Sequence, residues 1–515
     1  MRQSPRARGT ARGPEGGARD AARNAEASRA PETGARETGA REAGARAPVV
    51  SARSVEAGAG TRRPGRRVPA NLRLAARRGS VIGRIRDRLQ GGDPLRLRGR
   101  FRGRRGLVAF LAVMGPGFIA GIAGNDAGGI TTYSVLGAET GFELLWLFPI
   151  TILILAIVQE MAARLGVVTG QGLSDLIRDR FGVRWTAFAM LVLLVANVAN
   201  TIAEFSGAAA ALEIFGISRY LTVPIVAVLI WALVLFSSYR TVERVFLSVA
   251  LVFVAYIFSA FLAHPDWDQV GRAIVTPTIS FEPSILLLMV AVVGTTITPY
   301  MQFYLQSAVA EKAIADDELR LEQADAIGGA IWTNAIAVFI VVATAATIHA
   351  GGMRIETAAD AAQALAPVAG ELATVLFAVG LFGASVLAAT IMPISTAFVI
   401  CEAFGWESGV GKRLSDAPPF FGIYTFVLLL GALVVLIPGL DPIPVIVASQ
   451  NLQGLLLPIV LVFMVLLVND ERLMGRHRNG RRANVVAWTA VGLVILLDLM
   501  LLGVSALGLF GIRVA

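Results

Sequence analysis

The sequence is poor in the side chains that form disulfides, thiolate metal sites and histidine clusters. Its 515 residues include one cysteine, Cys401, and three histidines. One cysteine excludes an internal disulfide framework and a zinc site of the thiolate type. The histidines, His264, His349 and His477, fall in predicted loops or at predicted helix ends, so we expect neither a histidine metal cluster nor an intramembrane histidine relay. No nucleotide-binding loop, catalytic triad or metalloenzyme ligand spacing is present, and we predict a protein that is not an enzyme and needs no cofactor.

Charged residues are also scarce, and the basic ones follow a pattern. Only 16% of the residues are Asp, Glu, Lys or Arg, whereas 55% are hydrophobic, a balance that excludes a soluble protein. The net charge of +9 would suit nucleic acid, but the basic residues lie in the N-terminal tail and in alternate loops. That distribution is typical of a membrane protein whose basic loops face the cytoplasm. We therefore predict the lipid bilayer, and not nucleic acid, as the partner; the sequence carries no signal for an oligomeric state.

The chain divides into a polar tail and an apolar domain. Residues 1–98 are largely Ala, Gly, Arg and Glu, with too few large apolar residues to bury a core, so we predict a disordered cytoplasmic tail. Residues 99–515 form the predicted transmembrane transporter domain. The positive-inside rule predicts a cytoplasmic N-terminus and an external C-terminus, in an integral protein of the bacterial plasma membrane. Window hydropathy predicts about eleven spans: 107–136, 143–165, 185–210, 220–238, 243–263, 284–309, 326–349, 371–400, 419–438, 445–468 and 484–510.

The first predicted span carries polar residues at its centre. Residues 107–141 form an apolar run that contains Asn125, Asp126 and the pair Gly128-Gly129. An unpaired aspartate in the bilayer core costs about 3 kcal/mol, and the glycines weaken the helix beside it. A helix that is broken here, and that faces protein or a water-filled cavity, explains both features. Asp126 among freed carbonyl groups would then suit a cation; the alternative is that Asp126 only caps a kinked helix.

A second predicted span, 284–309, is interrupted in a similar way. Its stretch 294–299 contains a glycine and three threonines, and Pro299 removes one hydrogen bond from the helix. The alternative is an ordinary proline kink whose threonine hydroxyls bond their own backbone. The interrupted spans are the first and the sixth, so five crossings separate them and they run in opposite directions. This arrangement predicts two inverted five-helix repeats with a binding site near the bilayer midplane.

Several segments resemble motifs of the NRAMP family of divalent-metal transporters. They are GPGFIAGIAGNDAGG in the first span, LAIVQEMAARLGVVTGQGLSDLIRDRFG at 155–182, IAEFSGAAAAL at 202–212 and SQNLQGLLLP at 449–458. The resemblance covers roughly residues 107–468. It implies an all-α membrane protein with the LeuT-like fold, made of two inverted five-helix repeats plus an eleventh span. It also places Asp126 on the metal-binding aspartate of the family.

The chain departs from the family at the implied metal site. Gly129 stands where the family has an asparagine ligand, and Thr298-Pro299-Tyr300 stands where the sixth span has Met-Pro-His. Loss of the thioether removes a soft ligand and leaves a site of oxygen atoms, which suits Mg²⁺. Loss of the histidine removes a group that titrates near neutral pH. The chain therefore most resembles the NRAMP-related magnesium-transporter branch, and this resemblance implies a hydrated ion and transport without proton coupling.

The implied metal site draws on both interrupted spans. Asp126 would supply the charge, and backbone carbonyl, hydroxyl and water oxygens would complete the shell. The role of Tyr300 stays open between a ligand, a water contact and plain packing. Among other polar residues, Glu160 either lines the inner vestibule or pairs with Arg164, and Gln450 either faces the cavity or caps its helix. The residues predicted at the metal are Asp126, Ala123, Gly129, Thr295, Thr298, Tyr300 and Gln302, with Glu204 and Asn200 behind them.

The leading functional hypothesis is transport of a divalent cation, Mg²⁺ and also Mn²⁺, by alternating access around a site between spans one and six and without proton coupling. The first alternative is a proton-coupled Mn²⁺/Fe²⁺ carrier. A less favoured alternative is an amino-acid carrier of the same fold, which would need a free helix N-terminus for the substrate carboxylate and no acid beside it.

Overall fold

The structure of the protein is a computed structural model that describes residues 125–236, 255–311, 318–409 and 412–509. The predicted tail 1–98, the residues of the first span up to 124 and most of the fifth predicted span lie outside these ranges. Ala123, one of the predicted metal ligands, also lies outside the described residues.

Regular structure in the described ranges is helical throughout. The long α10 continues as a π-helical turn, Ala345–His349. The helices are α1 (Ala127–Thr140), α2 (Leu147–Thr169), α3 (Leu173–Phe181), α4 (Val183–Glu213), α5 (Arg219–Phe236), α6 (Ala255–Leu262), α7 (Trp267–Val275), α8 (Pro283–Thr296), α9 (Pro299–Glu311), α10 (Leu319–Thr344), α11 (Ala358–Ala362), α12 (Ala366–Ala369), α13 (Ala373–Phe404), α14 (Pro418–Val435), α15 (Pro442–Val468), α16 (Glu471–Met474) and α17 (Arg481–Leu509).

Most of the predicted spans are present as long apolar helices. α5 matches the predicted span 220–238 but is shorter, with an apolar stretch of Arg219–Leu235. Its side chains Val228 and Leu229 are 64% and 62% exposed, as expected of a surface that faces lipid tails. Eight further stretches in the described ranges are long and apolar enough to cross a membrane, and they match eight predicted spans: Leu147–Thr169, Val183–Glu213, Pro283–Ala310, Leu319–His349, Ala358–Phe404, Pro418–Val435, Pro442–Val468 and Arg481–Leu507.

Helix α4 occupies the middle of the bundle, where it packs against α13, α14 and α15. Small residues make this close packing feasible, as is common between membrane helices. A Cβ atom at Gly207 of α4 would lie 2.4 Å from the Cβ of Ala127 and 2.6 Å from the Oγ of Ser385 on α13. The beginning of α1 and the middle of α13 therefore both lie directly against α4.

The first interrupted span is described only from Asn125 onward. α1 begins at Ala127, and the side chain of Asp126 caps it by accepting a hydrogen bond from the Gly129 N–H. Gly128 and Gly129 are both helical, so the glycine pair lies inside the first turn of α1. A side-chain cap stabilises the first turn by about 1 kcal/mol, which is enough to offset the low helix propensity of one glycine.

The second interruption lies between α8 and α9. α8 ends at Thr296, α9 begins at Pro299, and Ile297 and Thr298 connect them without helical structure. Ile297 has φ −120° and ψ 58°, outside the helical region. The predicted break in the sixth span is confirmed, and it places Thr298 in the non-helical connection.

Candidate metal-ion site

The carboxylate of Asp126 has two different sets of neighbours. Its Oδ1 accepts the Gly129 N–H at 2.9 Å, and its Oδ2 accepts the Asn200 Nδ2 at 3.3 Å. The side chain is 5% exposed and lies at the N-terminus of α1, where the helix dipole favours negative charge. Asp126 is therefore a helix cap, as one alternative held, but capping uses only one of its two oxygens.

Two polar side chains of α4 lie at the beginning of α1. Asn200 and Glu204 are each 0% exposed. Glu204 Oε2 lies 3.4 Å from the backbone nitrogen of Ala127, which donates to it. Since Ala127 follows Asp126 directly, the structure brings a second carboxyl group to the beginning of α1. Asn200 contacts Asp126 directly, as a residue behind this ligand would.

Gln450 on α15 connects the two interrupted spans. Its Nε2 donates to Asn200 Oδ1 at 2.9 Å, and a Cβ atom at Gly128 would lie 2.2 Å from the same Nε2. On the other side, a Cβ atom at Gly294 of α8 would lie 2.2 Å from the Gln450 carbonyl oxygen. Because α15 begins at Pro442, Gln450 lies well inside that helix. The alternative that Gln450 caps the helix is therefore wrong, and the side chain faces the predicted site.

The sixth-span residues of the predicted site are buried. Thr295, Thr298 and Gln302 are 1%, 2% and 0% exposed. Gln302 Nε2 lies 3.5 Å from the Thr298 carbonyl oxygen, to which it donates. The phenol of Tyr300 is 3% exposed and lies within electrostatic range of the carboxyl groups of Asp126 and Glu204. The hydroxyl groups of Tyr133 and Thr296 are 2.9 Å apart and join α1 to α8 directly.

Several oxygen atoms around this junction have no hydrogen-bond partner among the described residues. Buried polar atoms in folded proteins nearly always have one, so each of these oxygens is a candidate contact for water or a cation. Within the described ranges, no three His, Cys, Asp or Glu side chains come together as a metal site. A cation here would thus be held by neutral oxygens beside the carboxyl groups. The oxygens are Asn125 Oδ1, Glu204 Oε1, Thr295 Oγ1, Thr298 Oγ1, Gln302 Oε1 and Gln450 Oε1.

One sulfur atom also lies at the site. Met392 Sδ on α13 is 3.6 Å from Asn200 Nδ2, the same nitrogen that contacts Asp126. The expectation of a site with oxygen atoms alone stays a prediction, beside which α13 places a sulfur atom next to Asn200. No sequence pattern pointed to this contact, because one methionine in an apolar run is usually a core residue, and Met392 is 1% exposed.

Known proteins are similar to this chain in sequence and in fold. Residues 117–503 match the family model described as natural resistance-associated macrophage protein-like (Nramp). The divalent metal cation transporter MntH of Deinococcus radiodurans is 31% identical over 411 residues, which cover 77% of this chain and 90% of that protein. MntH of Bacillus subtilis is 26% identical over 417 residues, covering 79% and 94%. A crystal structure of the Eremococcus coleocola manganese transporter, in complex with an aromatic bis-isothiourea substituted compound, superposes with a TM-score of 0.61 at 24% identity, covering 80% of this chain and 90% of that one. The predicted all-α, LeuT-like fold class is confirmed.

Proposed function

We propose that this chain, which belongs to the Nramp family of divalent-metal transporters, carries Mg²⁺ and Mn²⁺ across the bacterial plasma membrane without moving protons. Two observations support the proposal: the buried, capped carboxylate of Asp126, and buried oxygens on the sixth span that have no hydrogen-bond partner among the described residues. Asp126 Oδ2 and the hydroxyls of Thr295 and Thr298 are the ligand types that hard divalent cations prefer. The ion would bind between the two interrupted spans and be released by alternating access.

The neutral character of the ligands favours an ion that keeps part of its water. Gly129 has no side chain where a ligand amide would otherwise fill space, and Gln302 offers an unpaired Oε1 one turn beyond the break. Mg²⁺ dehydrates reluctantly and is usually bound through one or two carboxylates and several waters. We assign Gln302 and Tyr300 to contacts made through such waters, and Asp126 to direct contact.

We infer transport without proton coupling from the residue beside the sixth-span break. Tyr300 follows Pro299 there, and a phenol, with an unperturbed pKa of roughly 10, does not exchange protons readily near neutral pH. We therefore expect metal movement to leave the internal pH of a liposome unchanged.

The second candidate function is proton-coupled Mn²⁺ transport, and one observation favours it. Glu204 lies against the backbone of Ala127, next to Asp126, and two neighbouring carboxyl groups can hold a proton between them. The Eremococcus relative is a manganese transporter. An amino-acid carrier of the same fold is less favoured, because the side chain of Asp126 already occupies the N-terminus of α1 that a substrate carboxylate would need.

The decisive experiment measures metal uptake and internal pH together in proteoliposomes. We expect the wild type to take up Mg²⁺ and Mn²⁺ with no change in internal pH, and Asp126→Asn to abolish uptake of both ions. The matched control is Asp498→Asn, which removes another buried carboxylate, on α17, and should retain uptake. Acidification that follows Mn²⁺, and that Glu204→Gln removes, would favour the proton-coupled function instead. Full uptake by Asp126→Asn would contradict the site.

A further inference from the structure

The amide nitrogen of Asn200 lies between two electron-rich atoms. It donates to Asp126 Oδ2 at 3.3 Å and to Met392 Sδ at 3.6 Å. All three side chains are buried, with exposed fractions of 0% for Asn200, 5% for Asp126 and 1% for Met392. A carboxylate and a thioether are both metal ligands, whereas an amide –NH₂ group carries only partial positive charge.

The –NH₂ group therefore lies between two groups of the kind that bind a divalent cation. Its contacts to them, 3.3 Å and 3.6 Å, are longer than the roughly 2.0–2.6 Å bonds that hard cations form to oxygen. Once the –NH₂ group has turned away, a small inward movement of Asp126 and Met392 would bring both within bonding distance of an ion between them. Methionine suits such a movement because it is unbranched and has three rotatable side-chain bonds.

Asn200 can make room for the ion without losing its partner on α15. Its Oδ1 now accepts from Gln450 Nε2 at 2.9 Å, while Gln450 Oε1 has no partner in the described residues. If both amides turn over, Asn200 Nδ2 donates to Gln450 Oε1 and Asn200 Oδ1 points toward Asp126. The hydrogen bond between the two amides is kept, and the cation gains an oxygen ligand in place of a repelling –NH₂ group.

We propose that the transported cation binds between Asp126, the turned amide oxygen of Asn200 and Met392, and that Met392 is the residue that favours Mn²⁺ and softer ions over Mg²⁺. This inference rests on the proposed function and concerns the selectivity of the same site. Mg²⁺ binds through Asp126, Asn200 Oδ1, the sixth-span oxygens named above and water, and does not engage the sulfur. Mn²⁺ and, more strongly, Cd²⁺ engage the thioether as well, because softer metals accept sulfur ligands. The chain thus supplies from α13 the soft ligand that its sixth span lacks.

The test is a titration of the purified full-length protein with Mg²⁺, Mn²⁺ and Cd²⁺, comparing the wild type with Met392→Leu. This substitution conserves volume and apolar character, so the packing of α13 is preserved. We expect the affinity for Cd²⁺ to fall by about 10- to 100-fold, the affinity for Mn²⁺ to fall by less, and the affinity for Mg²⁺ to stay unchanged. Met464→Leu removes a methionine that is 0% exposed in the apolar core of α15 and should change none of the three affinities.

The relative losses of affinity for Cd²⁺, Mn²⁺ and Mg²⁺ distinguish a metal ligand from a residue that only packs. Equal losses for all three ions, or no loss for Cd²⁺, would overturn the assignment of Met392. Should Met392→Leu fold poorly, Met392→Gln replaces the sulfur by an amide oxygen at a similar distance, and we then expect weaker Cd²⁺ and stronger Mg²⁺ binding. Failure of the proposed function looks different, since the wild type itself would then take up no Mg²⁺ or Mn²⁺ into proteoliposomes.

Discussion

Two residues without side chains allow the helices at the site to approach each other. A Cβ atom at Gly294 would lie 2.2 Å from the Gln450 carbonyl oxygen and 2.4 Å from the Gly454 nitrogen. Both neighbours are backbone atoms, which cannot turn away as the end of a side chain can. A methyl group at this position must therefore move α8 and α15 apart, and with them the two halves of the site.

We expect Gly294→Ala to lower the thermal stability of the protein and to reduce metal uptake strongly. The matched control is Gly328→Ala on α10, where a Cβ atom would meet nothing within 4 Å. That change should be neutral or stabilise by about 0.5–1 kcal/mol, since alanine favours helix over glycine. Thermal unfolding in detergent and uptake into liposomes measure the two effects. Normal uptake by Gly294→Ala would mean that the α8–α15 contact is not needed for transport.

Single residues were predictable from the sequence where the signal was local. Because an aspartate is rare in an apolar run, Asp126 could be singled out as a candidate ligand. A proline among threonines predicted the break that contains Thr298. Gln450 and Met392 could not be assigned in the same way, because their roles depend on contacts across the bundle. Gln450 meets Asn200 across 250 positions of sequence, and Met392 meets it across 192. Which face of a uniformly apolar helix turns inward is set by packing, and hydropathy does not report it.

At the scale of helices, the sequence predicted the interruption of the sixth span. Proline and threonine located the end of α8 to within a few residues, because Pro299 cannot donate the next helical hydrogen bond. The weak helix propensity of the glycine pair is overcome at α1, where Asp126 caps the first turn and both glycines remain helical. Propensity alone could not foresee this, since a cap acts from outside the helix that it stabilises.

The C-terminal half of α2 is held by a group of polar contacts around Arg164. Its guanidinium donates to the His477 carbonyl oxygen at 2.8 Å and to Asn479 Oδ1 at 2.6 Å, and it pairs with Glu160 at 3.0 Å. Gln323 Nε2 on α10 donates to Glu160 Oε1 at 2.6 Å. Pairing of Glu160 with Arg164 is confirmed, and the pair also ties α2 to α10 and to the loop before α17.

We expect Arg164→Ala to destabilise the protein by about 1.5–3 kcal/mol, the usual cost of losing hydrogen bonds to a charged group that is largely buried. Arg164 is 11% exposed in this pair, whereas the pair Arg478–Glu471 is 54% and 76% exposed. The matched control Arg478→Ala should therefore change stability by no more than about 1 kcal/mol. Thermal unfolding of both variants measures the difference, and equal shifts would show that burial of the Arg164 group contributes nothing.

For the whole molecule, hydropathy predicted more of the helices than any motif did. Eight predicted spans correspond to long apolar helices in the described ranges, because a bilayer requires every span to satisfy its own backbone hydrogen bonds. The opposite directions of the two interrupted spans followed from counting crossings. The arrangement of helices around α4 did not follow, since it depends on small residues such as Gly207 that occur throughout the sequence.

The orientation of the chain in the membrane is a prediction of loop charge that cysteine labelling tests directly. Cys401, the one cysteine in the sequence, is buried, so Cys401→Ser gives a background without thiols. Glu356 and Arg478 are both exposed, and they lie in loops that the positive-inside rule places on opposite sides. We expect an impermeant thiol reagent to label Glu356→Cys in intact cells and Arg478→Cys only after permeabilisation. The reverse pattern would invert the topology, which would exchange the sides of ion entry and exit but leave the contacts of Asp126, Asn200 and Met392 unchanged.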